Sequence, residues 1–181
     1  MKSVLFYIKF INKLNDWIGQ IVSFLIYPIM GSLLWEVIMR YAFNEPTQWA
    51  HEFSSMLYAI FFLIGGVYAL RWNAHVSVEI FYQKFPKRMQ AAIDLCTWSM
   101  FYLFFIIILW KGSYYAWGSV ARFEISSTVW GPPIWPIKIF IPLAALLFIL
   151  QGLCKTMSDV VVLFTGRDLM IDEGNITRLK R

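Results

Sequence analysis

Glu36 is the residue whose type and place most invite chemistry. It stands inside a long apolar run, four residues before Arg40. A carboxylate at that depth has to be paired, hydrated or protonated. The spacing allows an intrahelical ion pair with Arg40, which would anchor the helix end or face a partner helix. The competing chemistry is a proton or ion site. His51 and His75 are metal or haem ligands by type, but they fall near opposite ends of the second apolar run and cannot share one ion. Cys96 and Cys154 lie in apolar stretches without metal-type spacing and read as small buried hydrophobes. Asp94 and Lys111 bracket the third apolar run, and Lys138 and Lys155 the fourth. At helix ends such groups snorkel to the interface. No Ser-His-Asp set, Cys-His set or carboxylate cluster offers catalysis. No Gly-rich phosphate loop or basic run interleaved with aromatics points to nucleotide or nucleic acid. The expectation is a chain with no catalytic, cofactor-binding or metal-binding residue.

The elements that position these groups follow from the balance of apolar and charged residues. Of the 181 residues 59% are hydrophobic and 15% charged, against roughly 45–50% and about 25% in soluble domains. A globule this small cannot hide so much apolar surface, so lipid is the expected solvent. A spanning helix needs about 20 mostly apolar residues. Four segments meet that need, at about 17–39, 53–70, 89–120 and 134–164. The first lacks a small-residue cleavage pattern after it and reads as a retained helix, not a signal peptide. Pro28 predicts a kink in it, and Pro142 a bend in the fourth. The predicted fold class is all-α and integral to the membrane. One four-helix domain covers 1–165, followed by a polar tail over 166–181.

Between the second and third helices, Val78, Phe81, Tyr82 and Phe85 recur at helical spacing, with Glu79, Gln83 and Lys84 largely on the other side. That pattern predicts a short amphipathic helix over about 75–85, lying at the membrane surface. Val76, Val78 and Ile80 also alternate, so a short strand is the other reading. Lysines and arginines set the orientation. Lys2, Lys9 and Lys13 precede the first helix; Arg71, Lys84, Lys87 and Arg88 lie between the second and third; Arg167, Arg178, Lys180 and Arg181 follow the fourth. The other two loops carry chiefly Arg40 and Arg122. By the positive-inside rule both termini and the middle loop are cytoplasmic. Trp17 and Trp72 then fall at the inner interface, and Trp35, Trp49, Trp110, Trp117, Trp130 and Trp135 at or near the outer one.

The stretch Arg40-Tyr41-Ala42-Phe43-Asn44-Glu45-Pro46-Thr47-Gln48-Trp49-Ala50-His51-Glu52 closes one helix and opens the next. Arg40, Pro46, Trp49 and Glu52 have plain uses there as interface charge, turn, belt anchor and first-turn acid. The spacing also resembles the small membrane subunit, the DctQ-like family, of tripartite ATP-independent periplasmic (TRAP) transporters. After the second helix, Arg71, His75, Val76, Val78 and Glu79, before Phe85-Pro86, look like that family's basic, His and alternating apolar-acidic segment. The resemblance covers about 15–165 in the same four-helix order, departing at His51, where many members carry an acid, and at Glu79, where Asp is usual.

What the resemblance implies is a scaffold role in a bacterial inner membrane. In that family a periplasmic substrate-binding protein captures an organic acid. A large multi-helix membrane subunit carries it inward on a sodium gradient, and sodium coupling belongs to that large subunit. Glu36, Arg40, Trp49, Glu52, His75 and Glu79 are the candidates for partner interface or structure. Two other classes compete. A membrane-anchor subunit of a redox complex would offer haem ligands on one level within its helices. A lipid-modifying enzyme would need an acid, nucleophile or metal cluster at the interface.

Overall fold

The computed structural model describes residues 2–71 and 87–165. Within them the chain is helical, with no β-strand among the described residues. Helix α1 covers Lys2–Ser23, α2 Ile26–Ala42, α3 Ala50–Arg71, α4 Lys87–Ala121 and α5 Trp135–Thr165. Four stretches are long and apolar enough to cross a bilayer: Phe6–Ala42, Ala50–Arg71, Thr97–Ala121 and Trp135–Ser158. The all-α, four-span class expected from the apolar runs is the one observed. The interfacial segment expected over 75–85 and the tail over 166–181 both lie outside the described residues.

The first span differs from the expectation in two ways. Its helix begins at Lys2, ahead of the Phe6–Ala42 stretch and not near Trp17, because the basic leading segment is itself amphipathic at helical spacing. Ile8, Ile11, Asn15 and Val22 are buried on one side, while Lys9, Phe10 and Lys13 face outward. The kink assigned to Pro28 falls one turn earlier, at Phe24 and Leu25. Proline has no N–H to give the Phe24 carbonyl, and its ring crowds that carbonyl. The chain answers by tightening: the Tyr27 N–H bonds Phe24 C=O at 3.3 Å, three residues back, before Ile29 N–H bonds Leu25 C=O at 3.2 Å.

Helix α3 packs against α1, α2 and α5, and α4 pairs chiefly and extensively with α5. Val22, Ile64, Val67, Ala144 and Leu147 form the core that joins α1, α3 and α5. A smaller core of Ile8, Ile11 and Cys154 continues it along α1 and α5. In lipid no hydrophobic drive holds helices together, so close packing and polar contacts must. The α4–α5 seam shows the packing. A side chain at Gly152 would press on Phe101 at 3.0 Å and on Trp98 at 3.3 Å. Phe101 and Phe105 lie 4.5 Å apart, and Phe105 stacks on Phe148 at 4.4 Å. The helix ends at Lys2, Arg71, Lys87 and Thr165 share one end of the bundle, here the terminal end; the turns over 43–49 and 122–134 close the opposite, loop end.

Candidate functional site

At the loop end, Glu36 joins α2 to the turn that starts α3. It is 8% exposed. Its Oε1 accepts from Arg40 Nε at 3.0 Å and from Arg40 Nη2. Its Oε2 accepts the Thr47 backbone N–H at 2.8 Å and the Thr47 hydroxyl. The Glu36–Arg40 pair is the one the sequence spacing allows. Beyond Arg40, Glu36 finds its second partner within this chain, in Thr47. The turn makes this reach feasible. Asn44 adopts φ 56°, a conformation Asn tolerates better than most residues, and Glu45 N–H closes on Met39 C=O at 3.0 Å. With both oxygens engaged by donors, the carboxylate serves as a clamp on the helical corner and has little capacity left for a mobile proton or ion.

Trp49 and Glu52 stand on the same corner. Trp49 meets Phe53 edge-on at 6.2 Å, and its carbonyl accepts the Phe53 N–H at 2.9 Å, opening α3. Glu52 lies in the first turn of α3, where a carboxylate is favoured by the helix dipole. His51 is exposed, and its carbonyl accepts the hydroxyls of Ser54 and Ser55, both at 2.8 Å. Arg40 and Thr47 hold Glu36, and Trp49 and Glu52 lie at the same end of the α2–α3 pair, where Trp49 packs on Phe53. His75 and Glu79 lie outside the described residues.

The second loop-end element is a short closed hairpin. Ser126 N–H bonds Pro132 C=O at 2.8 Å and Ile134 N–H bonds Glu124 C=O at 3.0 Å. Gly131, at φ 60°, makes the turn that a side chain would strain. Lys138 Nζ donates to Glu124 Oε2 at 2.5 Å, so the lysine read as a snorkelling group is held in an ion pair. The Lys138 ammonium draws the Glu124 carboxyl below its ordinary range. Val129 at the tip is 86% exposed, with Trp130 beside it also exposed.

The terminal end holds a polar cluster that the sequence reading missed. Asn15 Nδ2 donates to Gln151 Oε1 at 2.6 Å, and Gln151 Nε2 donates to Asn12 Oδ1 at 3.2 Å. All three side chains are buried. Arg71 at the end of α3 donates to the Asn12 carbonyl and pairs with Asp16. One network thus ties α1, α3 and α5. The available signal was the placement of Asn12 and Asn15 at the spacing of Ile8 and Ile11, on the inward stripe. On α4 and α5 nearby, the hydroxyls of Tyr102 and Thr156 lie 2.7 Å apart, and Lys155 sits over the Trp98 ring at 5.7 Å.

Comparison with known proteins gives the geometry a context. Residues 29–161 match the family model described as the DctQ component of tripartite ATP-independent periplasmic transporters. The chain is 26% identical over 92 residues to the sialic acid TRAP transporter small permease protein SiaQ of Vibrio cholerae, covering 49% of this chain and 51% of that one. It is 28% identical over 115 residues to the C4-dicarboxylate TRAP transporter small permease protein DctQ of the same organism, covering 59% and 47%. It is also 28% identical over 82 residues to the sialic acid TRAP transporter permease protein SiaT of Haemophilus influenzae, covering 45% of this chain and 13% of that protein. The matched segment spans about half the length of each of the two small permease relatives.

Proposed function

The chain belongs to the DctQ component family of tripartite ATP-independent periplasmic transporters, and from that membership we infer that it is the small membrane subunit of a binding-protein-dependent importer. The observation that carries the reading is the family match over 29–161, which takes in part or all of each of the four spans together with the Glu36–Thr47 corner. It is a multi-pass membrane protein. Its partner in this reading is a large multi-helix permease. The local similarity to SiaT supports that pairing, because a segment like this one occurs inside a much longer permease chain. A chain in which the two parts are joined is most simply explained by their working side by side.

The division of labour follows from how the polar side chains are engaged. Glu36 is engaged by Arg40 and Thr47, and the Asn12–Asn15–Gln151 cluster is spent on holding helices to one another. Neither offers a carboxylate substrate or a cation an open site. In this reading the organic acid and the sodium that drives it pass through the large subunit, and this chain braces that subunit against the bilayer. The loop end, with Glu36, Trp49 and Glu52, faces the periplasm and the substrate-binding protein. The basic clusters support placing both termini in the cytoplasm, and family membership supports the bacterial inner membrane. The redox-anchor alternative gains nothing from the family match. Two measurements test the reading. Tagged full-length protein expressed with its genomic neighbours should co-purify a large permease in one-to-one ratio. Alkaline phosphatase fused after Arg181 should be inactive and the same reporter within 126–128 active; the reverse pattern overturns the orientation.

A further inference from the structure

A groove of about 420 Å³ runs between α1 and α3, lined by residues that include Gly19, Gln20, Ser23, Phe62, Gly65 and Ala69. Its wall is largely apolar, and Gly65 opens onto it with nothing within 4 Å of an added Cβ. An open apolar groove between two membrane-spanning helices has to be filled by something. The residues above it name the chemistry. Lys9, Lys13 and Gln20 are spaced i, i+4 and i+11, which places them on one stripe of α1. That stripe therefore runs from the groove toward the terminal end of the bundle. Lys9 and Lys13 are exposed and enter no ion pair among the described residues. Asp16, the acid on the same helix, is already bound by Arg71. Trp17, 63% exposed, lies one turn past Lys13, as an interfacial anchor does.

The dimensions fit one kind of occupant. Seven residues separate Lys13 from Gln20 in the groove wall, a rise of ~10 Å along the helix. The polar interfacial layer begins at the edge of a hydrocarbon core of ~30 Å, so an acyl chain in the groove places its phosphate level with the lysines. We propose that the groove between α1 and α3 seats an acyl chain of an anionic phospholipid, whose headgroup Lys9 and Lys13 hold. The uptake reading is not needed for this inference, and its test does not use uptake.

The test separates headgroup from chain. Full-length protein in detergent is mixed with equimolar phosphatidylglycerol and phosphatidylcholine of the same acyl composition, and bound lipid is counted by native mass spectrometry. Wild type should favour phosphatidylglycerol, by about fivefold for each lysine that contributes. The double variant K9Q/K13Q should still bind lipid but with a ratio near one. Gly65→Leu, whose Cβ meets nothing within 4 Å, projects into the groove and should lose bound lipid of both classes; unchanged helical circular dichroism shows that it folds. Lys111→Gln, at the loop end, should change nothing. Equal binding of the two lipids by wild type overturns the proposal, as does an unchanged ratio in K9Q/K13Q. If Gly65→Leu keeps its lipid and instead loses a co-purifying membrane protein, the groove is a helix-docking face and the proposal is wrong.

Discussion

Replacing Gln151 with leucine tests the cluster that holds α1 to the rest of the bundle. Gln151 and Asn15 are each 2% exposed and Asn12 is 5% exposed, so no one of them can turn to water when its partner is lost. Gln151→Leu removes the 2.6 Å bond from Asn15 and the 3.2 Å bond to Asn12. Polar contacts between membrane helices average about 0.6 kcal/mol and reach about 1.7, while an orphaned buried group costs roughly 1–3 kcal/mol. Two lost contacts therefore cost about 1–3 kcal/mol. Asn15→Leu loses one contact and costs about 1 kcal/mol. The double variant has no unpaired group left on either side of the shorter bond, so it should cost no more than Gln151→Leu alone. The cycle then yields a coupling near 1 kcal/mol. Thermal unfolding of the full chain in detergent reads this out at about 2–4 °C for each kcal/mol in a protein of this size. Additive effects of the two single changes would refute the reasoning, because they would mean the two amides do not depend on each other.

Three further outcomes follow from other contacts. Gly66→Leu sets a side chain against Phe148, whose Cζ lies 2.9 Å from the added Cβ, and should destabilise the α3–α5 packing by about 1–3 kcal/mol, seen in the same melts; wild-type stability would contradict the close approach. The Glu124–Lys138 pair should be pH-dependent in the acid range. The folded carboxyl is drawn below its unfolded value of about 4.3, so its contribution is complete above that value and is lost as pH falls through the lower folded one. Protease nicking within 122–134 should rise there in wild type but show no such pH step in Glu124→Gln, and identical profiles would discard the pair as a clamp. Glu36→Gln keeps the shape but turns an amide toward the Arg40 or Thr47 donors, so the corner should loosen and partner co-purification weaken, more so in Glu36→Leu and in part in Thr47→Val. Full retention of partner and uptake in all three would make Glu36 a tolerated edge residue.

The parts of the fold that were legible in the sequence are those a count of apolar residues reveals. The runs around 53–70 and 134–164 become α3 and α5 with ends shifted by a few residues, because lipid demands the same length of any spanning helix. The start of α1 was hidden because its lysines and asparagines break the apolar count even though Ile8, Ile11 and Val22 keep helical spacing. Pro28 announced a break but not its position, since the proline acts on the carbonyl four residues back. At the site, Glu36 and Arg40 were legible because their pairing is local. Thr47 was not, because a threonine eleven residues away carries no sign of its partner until the turn is built. Asn15 and Gln151 lie 136 residues apart, and only the packing of α1 on α5 brings them together.

In the proposed reading this chain supports transport without performing it. The direct measurement is uptake of radiolabelled organic acids into proteoliposomes under an inward sodium gradient, with the matching periplasmic binding protein added outside. The account predicts uptake when this chain and the large subunit are present together, loss of uptake when the large subunit is left out, and impaired uptake when this chain is. Sodium-dependent uptake by this chain alone, or full uptake by the large subunit without it, would contradict the account.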